Sequence, residues 1–351
     1  MLAPIRHILP LTTITRERIL PHGGRVLVRK GQKVAAADVV AEGTVAAQHV
    51  LLDLARGLGV SMEQADRAIQ RQAGDIVEAG DIIAGPVGIA RRVVRAPKAG
   101  KVVVIGNGQA LLELNGRPFE LRAGYSGLVV DLIADRGVKI ETTGALIQGA
   151  WGNGRLDSGL LALLAVAPDE VLDPNRLDVS LRGAVVMAGH VSSPDVLQAA
   201  AEIQLRGLII GSLSPELLPQ AAKTACPVIV VEGFGMLPMN NSAFKLLSTS
   251  ERREAMVIAD SWNPYTGSRP EIVIGLPSAT GQSIAREVTE FRAGQTVRVV
   301  RAPQLGGIGT LISILPGTTR LPNGIHARAG QVHLEFGDNL VLPLANLEVL
   351  E

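Results

Sequence analysis

The chain has little of what usually marks a function. Aromatic residues are only 3% of its 351 residues, five Phe, two Trp and two Tyr, too few for the rows of stacking side chains that hold single-stranded nucleic acid. One cysteine, Cys226, excludes an internal disulfide and leaves a zinc or iron–sulfur cluster without ligands. Placed between Ala225 and Pro227 ahead of an apolar run, it reads as a buried small hydrophobe. No run of about eighteen apolar residues exists. The opening MLAPIRHILPLTTITRERILP lacks a signal peptide's layout, so a cytoplasmic location without membrane insertion is expected. The net charge is +1 with 19% charged residues, which argues against a strongly polyanion-seeking or an acidic disordered chain.

What remains is aliphatic. Ala, Val, Leu and Ile dominate a 47% hydrophobic content, which predicts cores of β-structure and small helices, in two or three domains for this length.

An internal repeat opens the chain. GQKVAAADVVAEG from Gly31 returns 43 positions later as GDIVEAGDIIAGP from Gly74, matching at Val34/Val77, Ala36/Ala79, Asp38/Asp81 and Ala41/Ala84. A second echo joins Arg95–Val104 to Arg122–Val130. Between the first pair, His49–Arg56 and Ser61–Ile69 read as two helices, giving a helical insertion over about residues 46–72. The strings GQKVAAADVVAEG and APKAGKVVVI resemble the sandwich-barrel hybrid of lipoyl and biotinyl carriers, redox-pump subunits and RNA polymerase inserts. The resemblance implies a hybrid domain over residues 1–150. A carrier's modified lysine would fall in Gly88–Val94, which has no lysine, so neither lipoate nor biotin is expected, nor any other cofactor.

Three glycines around Trp151 lack a P-loop's Lys-Ser/Thr and read as a domain junction, with a connector over residues 151–181. Residues 182–280 alternate apolar runs (Ala184–Ala188, Leu208–Ile210, Val228–Val231) with helices Pro194–Leu205 and Pro215–Thr224, each opened by a Ser-Pro-acid start. This pattern predicts a Rossmann-like three-layer α/β unit. Ligands of such sheets gather at the carboxyl ends of the strands. Those ends carry His190, Ser192, Ser193, Ser212, Glu232 and Gly233, candidates for holding an anion or small ligand. Val228–Gly233 with Ile258–Asp260 also resembles the Toprim pattern, which implies Glu232 and Asp260 as magnesium ligands. Trp262 stands where its second aspartate belongs, so no metal is assigned. No connected nucleophile, base and acid is evident, and no catalytic residue is assigned. Asp260–Gly267 concentrates one Trp and one Tyr in a turn-rich stretch, expected to plug a domain edge.

From Phe291 the chain reads FRAGQTVRVVRAPQLGGIGTLISI. Its Gly294, Val297, Val299, Pro303, Gly306 and Gly309 resemble the KOW motif of NusG-type elongation factors and some ribosomal proteins. This implies an SH3-like barrel over residues 290–351, and Gly337–Asn339 fits its hairpin loop. Between Phe291 and Leu334 there are five arginines and no carboxylate. Arg298, Arg301, Gln304, Arg320 and Arg328 are therefore the candidate contacts to a protein or ribonucleoprotein assembly, with Arg298 expected to point outward. The expected function is a non-enzymatic adaptor of a transcription or translation assembly. The alternative is a small-ligand sensor or enzyme centred on the α/β unit.

Overall fold

The computed structural model describes residues 2–44, 48–114, 118–263, 268–276, 288–335, 337 and 339–351. It is mostly β, 48% strand against 15% helix, and its five α-helices are short. The expected central Rossmann-like α/β unit is corrected by this finding. Leu156–Leu163, Ala184–Val191, Gly207–Leu213 and Val228–Phe234 do lie side by side as parallel strands. They are, however, part of an eleven-stranded mixed sheet. Antiparallel strands Glu254–Ile258, Glu271–Gly275 and Gly137–Gln148 continue it. The helical cover is thin for local reasons. Pro194–Glu202 stops where Gln204 turns left-handed at φ 62. Pro219 splits the expected second helix into the 3-10 turn Pro215–Leu217 and the four-residue helix Leu218–Ala221, because proline cannot donate the hydrogen bond a continuous helix needs.

One sheet thus crosses the boundary expected near residue 150, and Trp151–Gly152 and Leu156–Leu163 of the expected connector are strands within it. Ile14, Val129 and Ile140 share a core with Met256, Ile258 and Val273. Ala145 and Ile147 pack with Ile209, Ile229 and Val257.

The repeat is present as equivalent backbone structure. Gly31 and Gly74 take φ +83 and +101, values that glycine reaches without strain. Their N–H groups donate to Val129 and Val102 carbonyls, both at 2.7 Å. Asp38 and Asp81 accept from Ala35 and Glu78 N–H at 2.8 and 3.1 Å. The copies are nested. Strands Val39–Thr44 and Pro118–Arg122 of the outer copy pair, with Thr44 opposite Pro118, so the inner module leaves and re-enters at one point. That module, residues 48–114, has its own core of Leu54, Leu58, Val77, Ile83, Val102 and Leu112. The helix expected at His49–Arg56 is corrected here: Gln48–Asp53 is a strand paired with Gln109–Leu114, and the helix is Leu54–Leu58. Ser61 does cap a second helix, Met62–Arg67.

Strands Thr296–Val299, Ile308–Ile314, Ala329–Leu334, Asn339–Pro343 and Leu347–Leu350 form the C-terminal module. Leu2–Arg6 joins its sheet, parallel to Leu347–Leu350, so the two chain ends fold together. A fragment of residues 1–150 loses both partners of Leu2–Arg6 and the Glu271–Gly275 partner of Gly137–Gln148. By circular dichroism it is expected to show only the cooperative transition of its inner module, at the temperature at which residues 48–114 expressed alone melt.

Candidate functional site

The carboxyl ends of the parallel strands are closed over. His190 is buried, with Nδ1 2.9 Å from Ser212 Oγ and Nε2 3.4 Å from Ser214 Oγ. Ser212 donates its proton to the Leu237 carbonyl at 2.7 Å and accepts from Leu237 N–H at 3.2 Å. Nδ1 must then carry the imidazole proton, leaving Nε2 to accept from Ser214. Burial lowers the His190 pKa and favours this neutral form. Ser193 caps its helix at Asp195 N–H, and neighbouring Ser192 is exposed. His190 and Ser212 therefore come together as a saturated structural tie, while Ser192 and Ser193 lie outside it.

Glu232 and Gly233 lie near the end of the next strand but one, and Gly233 takes φ 142, which side-chain-bearing residues rarely adopt. The Glu232 carboxylate accepts from Asn240 N–H at 2.9 Å and from its side-chain amide, while Asn240 caps the helix Asn241–Ser248. On its other side lies Arg298, and the expectation of an outward, nucleic-acid-facing Arg298 is corrected. Alternation with Val297 and Val299 does turn Arg298 away from the C-terminal module's own core. That other face is covered by the central sheet, and Arg298 is 2% exposed. Its Nη1 pairs with Glu232 at 2.9 Å and its Nη2 donates to the Glu232 carbonyl at 2.7 Å. Arg6 donates to the Val231 carbonyl at 2.7 Å and pairs with Glu348 at 2.9 Å. Glu348 also lies 3.6 Å from both Arg298 and Arg269. Three guanidiniums thus face two carboxylates in a buried cluster. Desolvation, opposed by Glu348, lowers the Arg6 pKa to about 10, so Arg6 stays charged at neutral pH. Nothing in the sequence pointed to Arg6, Arg269 or Glu348; they meet through the fold alone.

A second cluster holds Asp260. Arg16 clasps Glu271 in a two-toothed pair at 2.9 Å, Tyr125 donates to the same carboxylate, and Arg18 lies 3.6 Å from Asp260. Burial, then the Glu271 charge, holds the Tyr125 phenol well above its usual range, and burial raises Asp260. Glu232 and Asp260 thus belong to different ion-pair clusters. Among the described residues no group of three or more His, Cys, Asp or Glu is placed to hold a metal. Trp262 is half exposed beneath Arg269, 5.6 Å from its ring centroid; Pro264–Gly267 lie outside the described residues.

Arg301, Arg320 and Arg328 are exposed and Gln304 is half-buried. Arg320 stands directly opposite the exposed His326 on a two-stranded ribbon. In the expected hairpin loop, Gly337 and Asn339 are described, and Asp338 and Phe336 lie outside the described residues. An open cleft of about 260 Å³ lies between Arg122 and Asp157. Among the described residues no helix is long and apolar enough to cross a membrane. No family model matches the chain, and no curated protein matches it.

Removing one member of the buried cluster leaves an uncompensated charge. Glu232→Gln and Glu348→Gln should each cost about 3–5 kcal/mol in denaturant unfolding, whereas Arg301→Gln should stay within about 0.5 kcal/mol. Burial pushes the Cys226 thiol up to about 11. At pH 8 it stays protonated and covered, so a thiol reagent should label it only as the chain unfolds, at least ~100-fold slower than in denaturant.

Proposed function

We propose that the protein is a non-enzymatic binding protein that docks on a polyanionic partner, a ribonucleoprotein assembly, through a KOW-like C-terminal module. The observation that supports this reading most is the division of labour among its arginines. Arg298 is consumed in the buried cluster that fixes the module to the body, while Arg301, Arg320 and Arg328 remain in solvent. Arg320 and His326 share the ribbon, Arg328 follows two residues on, and no carboxylate interrupts residues 291–334. Guanidinium groups held on a short ribbon suit phosphate oxygens, which they contact in pairs. Fixing the module to a rigid body lowers the ordering cost of binding.

The test is RNA binding across a salt series, with structured and single-stranded RNA. Arg301→Gln, Arg320→Gln and Arg328→Gln combined should weaken binding and flatten its salt dependence by roughly one unit of slope per lost phosphate contact. The melting temperature should stay unchanged, because none of the three is buried. Wild-type protein that binds RNA with no salt dependence at low ionic strength, or not at all, overturns the reading.

A further inference from the structure

The inner repeat module carries an open strand edge with an apolar row running up to it. In its four-stranded sheet, Gln48–Asp53 pairs on one side with Gln109–Leu114 and is the outermost strand among the described residues. Leu51 stands opposite Leu111, which stands opposite Val104. Leu51 and Val104 are 58% and 59% exposed, and Ile76 on the same sheet is 77% exposed. Val50 and Leu52 face the module's core; His49, Leu51 and Asp53 face out, and all three are exposed. Exposed apolar side chains lined up across strands mark a contact surface, and an unprotected edge invites another strand.

We propose that this edge pairs with the same edge of a second copy of the chain, antiparallel, with Leu51 on the twofold axis. Two observations fix the occupant and the register. The first is hydrogen-bond parity. Leu54 N–H donates inward to the Gly108 carbonyl at 2.8 Å. Since antiparallel strands alternate their bonding direction residue by residue, positions 50 and 52 also bond inward, and His49, Leu51 and Asp53 present N–H and C=O to the open side. Those three positions form a complete self-complementary set of about six main-chain hydrogen bonds when Leu51 meets Leu51. The second is side-chain complementarity. In that register each His49 imidazole faces an Asp53 carboxylate of the other copy, twice by symmetry. Asp53 uses Oδ1 to cap Arg56 N–H at 2.9 Å, leaving Oδ2 for the imidazole. The apolar row becomes continuous, from Val104 through Leu111 and Leu51 to their counterparts. The module is entered and left at Thr44 and Pro118, which stand opposite each other, and the edge belongs to a sheet separate from the eleven-stranded one.

Five paired residues make a small interface, so a dissociation constant near the micromolar range is expected. Sedimentation of the full-length chain across that range should show a monomer–dimer equilibrium. Leu51→Lys, at an exposed position, should abolish it with the melting temperature unchanged. His49→Lys should tighten the dimer and His49→Asp weaken it, each by several-fold. Cross-strand partners of this type lie with Cα atoms about 5.5 Å apart, within disulfide reach. In a Cys226→Ala background, Leu51→Cys should therefore crosslink to dimer under mild oxidant. Leu111→Cys, about 15 Å from its counterpart across three strand spacings, should not. The proposal is overturned if the wild-type chain stays monomeric at high concentration, which leaves the edge to a strand of another protein. A dimer that survives Leu51→Lys, or equal crosslinking at both cysteines, overturns it as well.

Discussion

The structure depends on the ion cluster formed by Arg6, Arg269, Arg298, Glu232 and Glu348. Residues from the first strand, the end of a central parallel strand and the last strand meet there, with Arg6, Arg298, Glu232 and Glu348 all buried. Such a cluster gives little net stability, because desolvating five charges offsets most of their attraction. Its effect is to define one arrangement. The C-terminal module cannot slide over the central sheet without leaving a charge bare, and Leu2–Arg6 cannot leave Leu347–Leu350 without taking Arg6 from Glu348. Glu232 links this joint to the helix Asn241–Ser248 through Asn240, so the strand end, the helix cap and the module interface are set together.

The same geometry sets what the strand-end groups bond to. In an open α/β sheet, free helix-end amides and strand-end side chains face solvent. Here Glu232 faces Arg298, and Ser212 is saturated by His190 and Leu237. The helices are too short to form the second wall of a cleft. Polar groups gather at these positions. What they satisfy is one another.

Local pattern was enough to show some of this. The Gly31 and Gly74 repeat was readable because tight turns need glycine and each following turn is closed by an aspartate that accepts from the N–H three residues before it, and both copies keep them. The Ser61 cap and the alternation of Val297, Arg298 and Val299 were readable for the same reason. What failed was long-range. Alternation told that Arg298 leaves the module's own core, and it could not tell that a second sheet covers the other face. His49–Asp53 carries too few β-branched residues to announce a strand and runs straight into a true helix. Its pairing with Gln109–Leu114 spans most of the inner module. Nesting hides in the same way, for nothing near Thr44 or Pro118 announces that they stand opposite each other. The Rossmann-like expectation failed at Pro219 and at the antiparallel strands from residues 254 and 271, which continue a sheet that the alternation of strand and helix had suggested was complete.

Position along the chain and mechanical independence are therefore inverted in this protein. The C-terminal module looks separable by sequence, because its KOW-like pattern is complete within residues 290–351. It is nonetheless bound to the body by a buried cluster and by the first strand of the chain. The inner repeat lies in the middle of the N-terminal half, yet it has a complete core of its own and a single point of attachment. A unit with its own core can shift or pair without disturbing distant packing, since coupling requires shared contacts. The binding proposed at the arginine ribbon would act on a part that the ion cluster holds to the central sheet. Pairing at the Gln48–Asp53 edge acts on a part that the sheet does not constrain. The two surfaces are thus energetically separate, and one chain can present both at once.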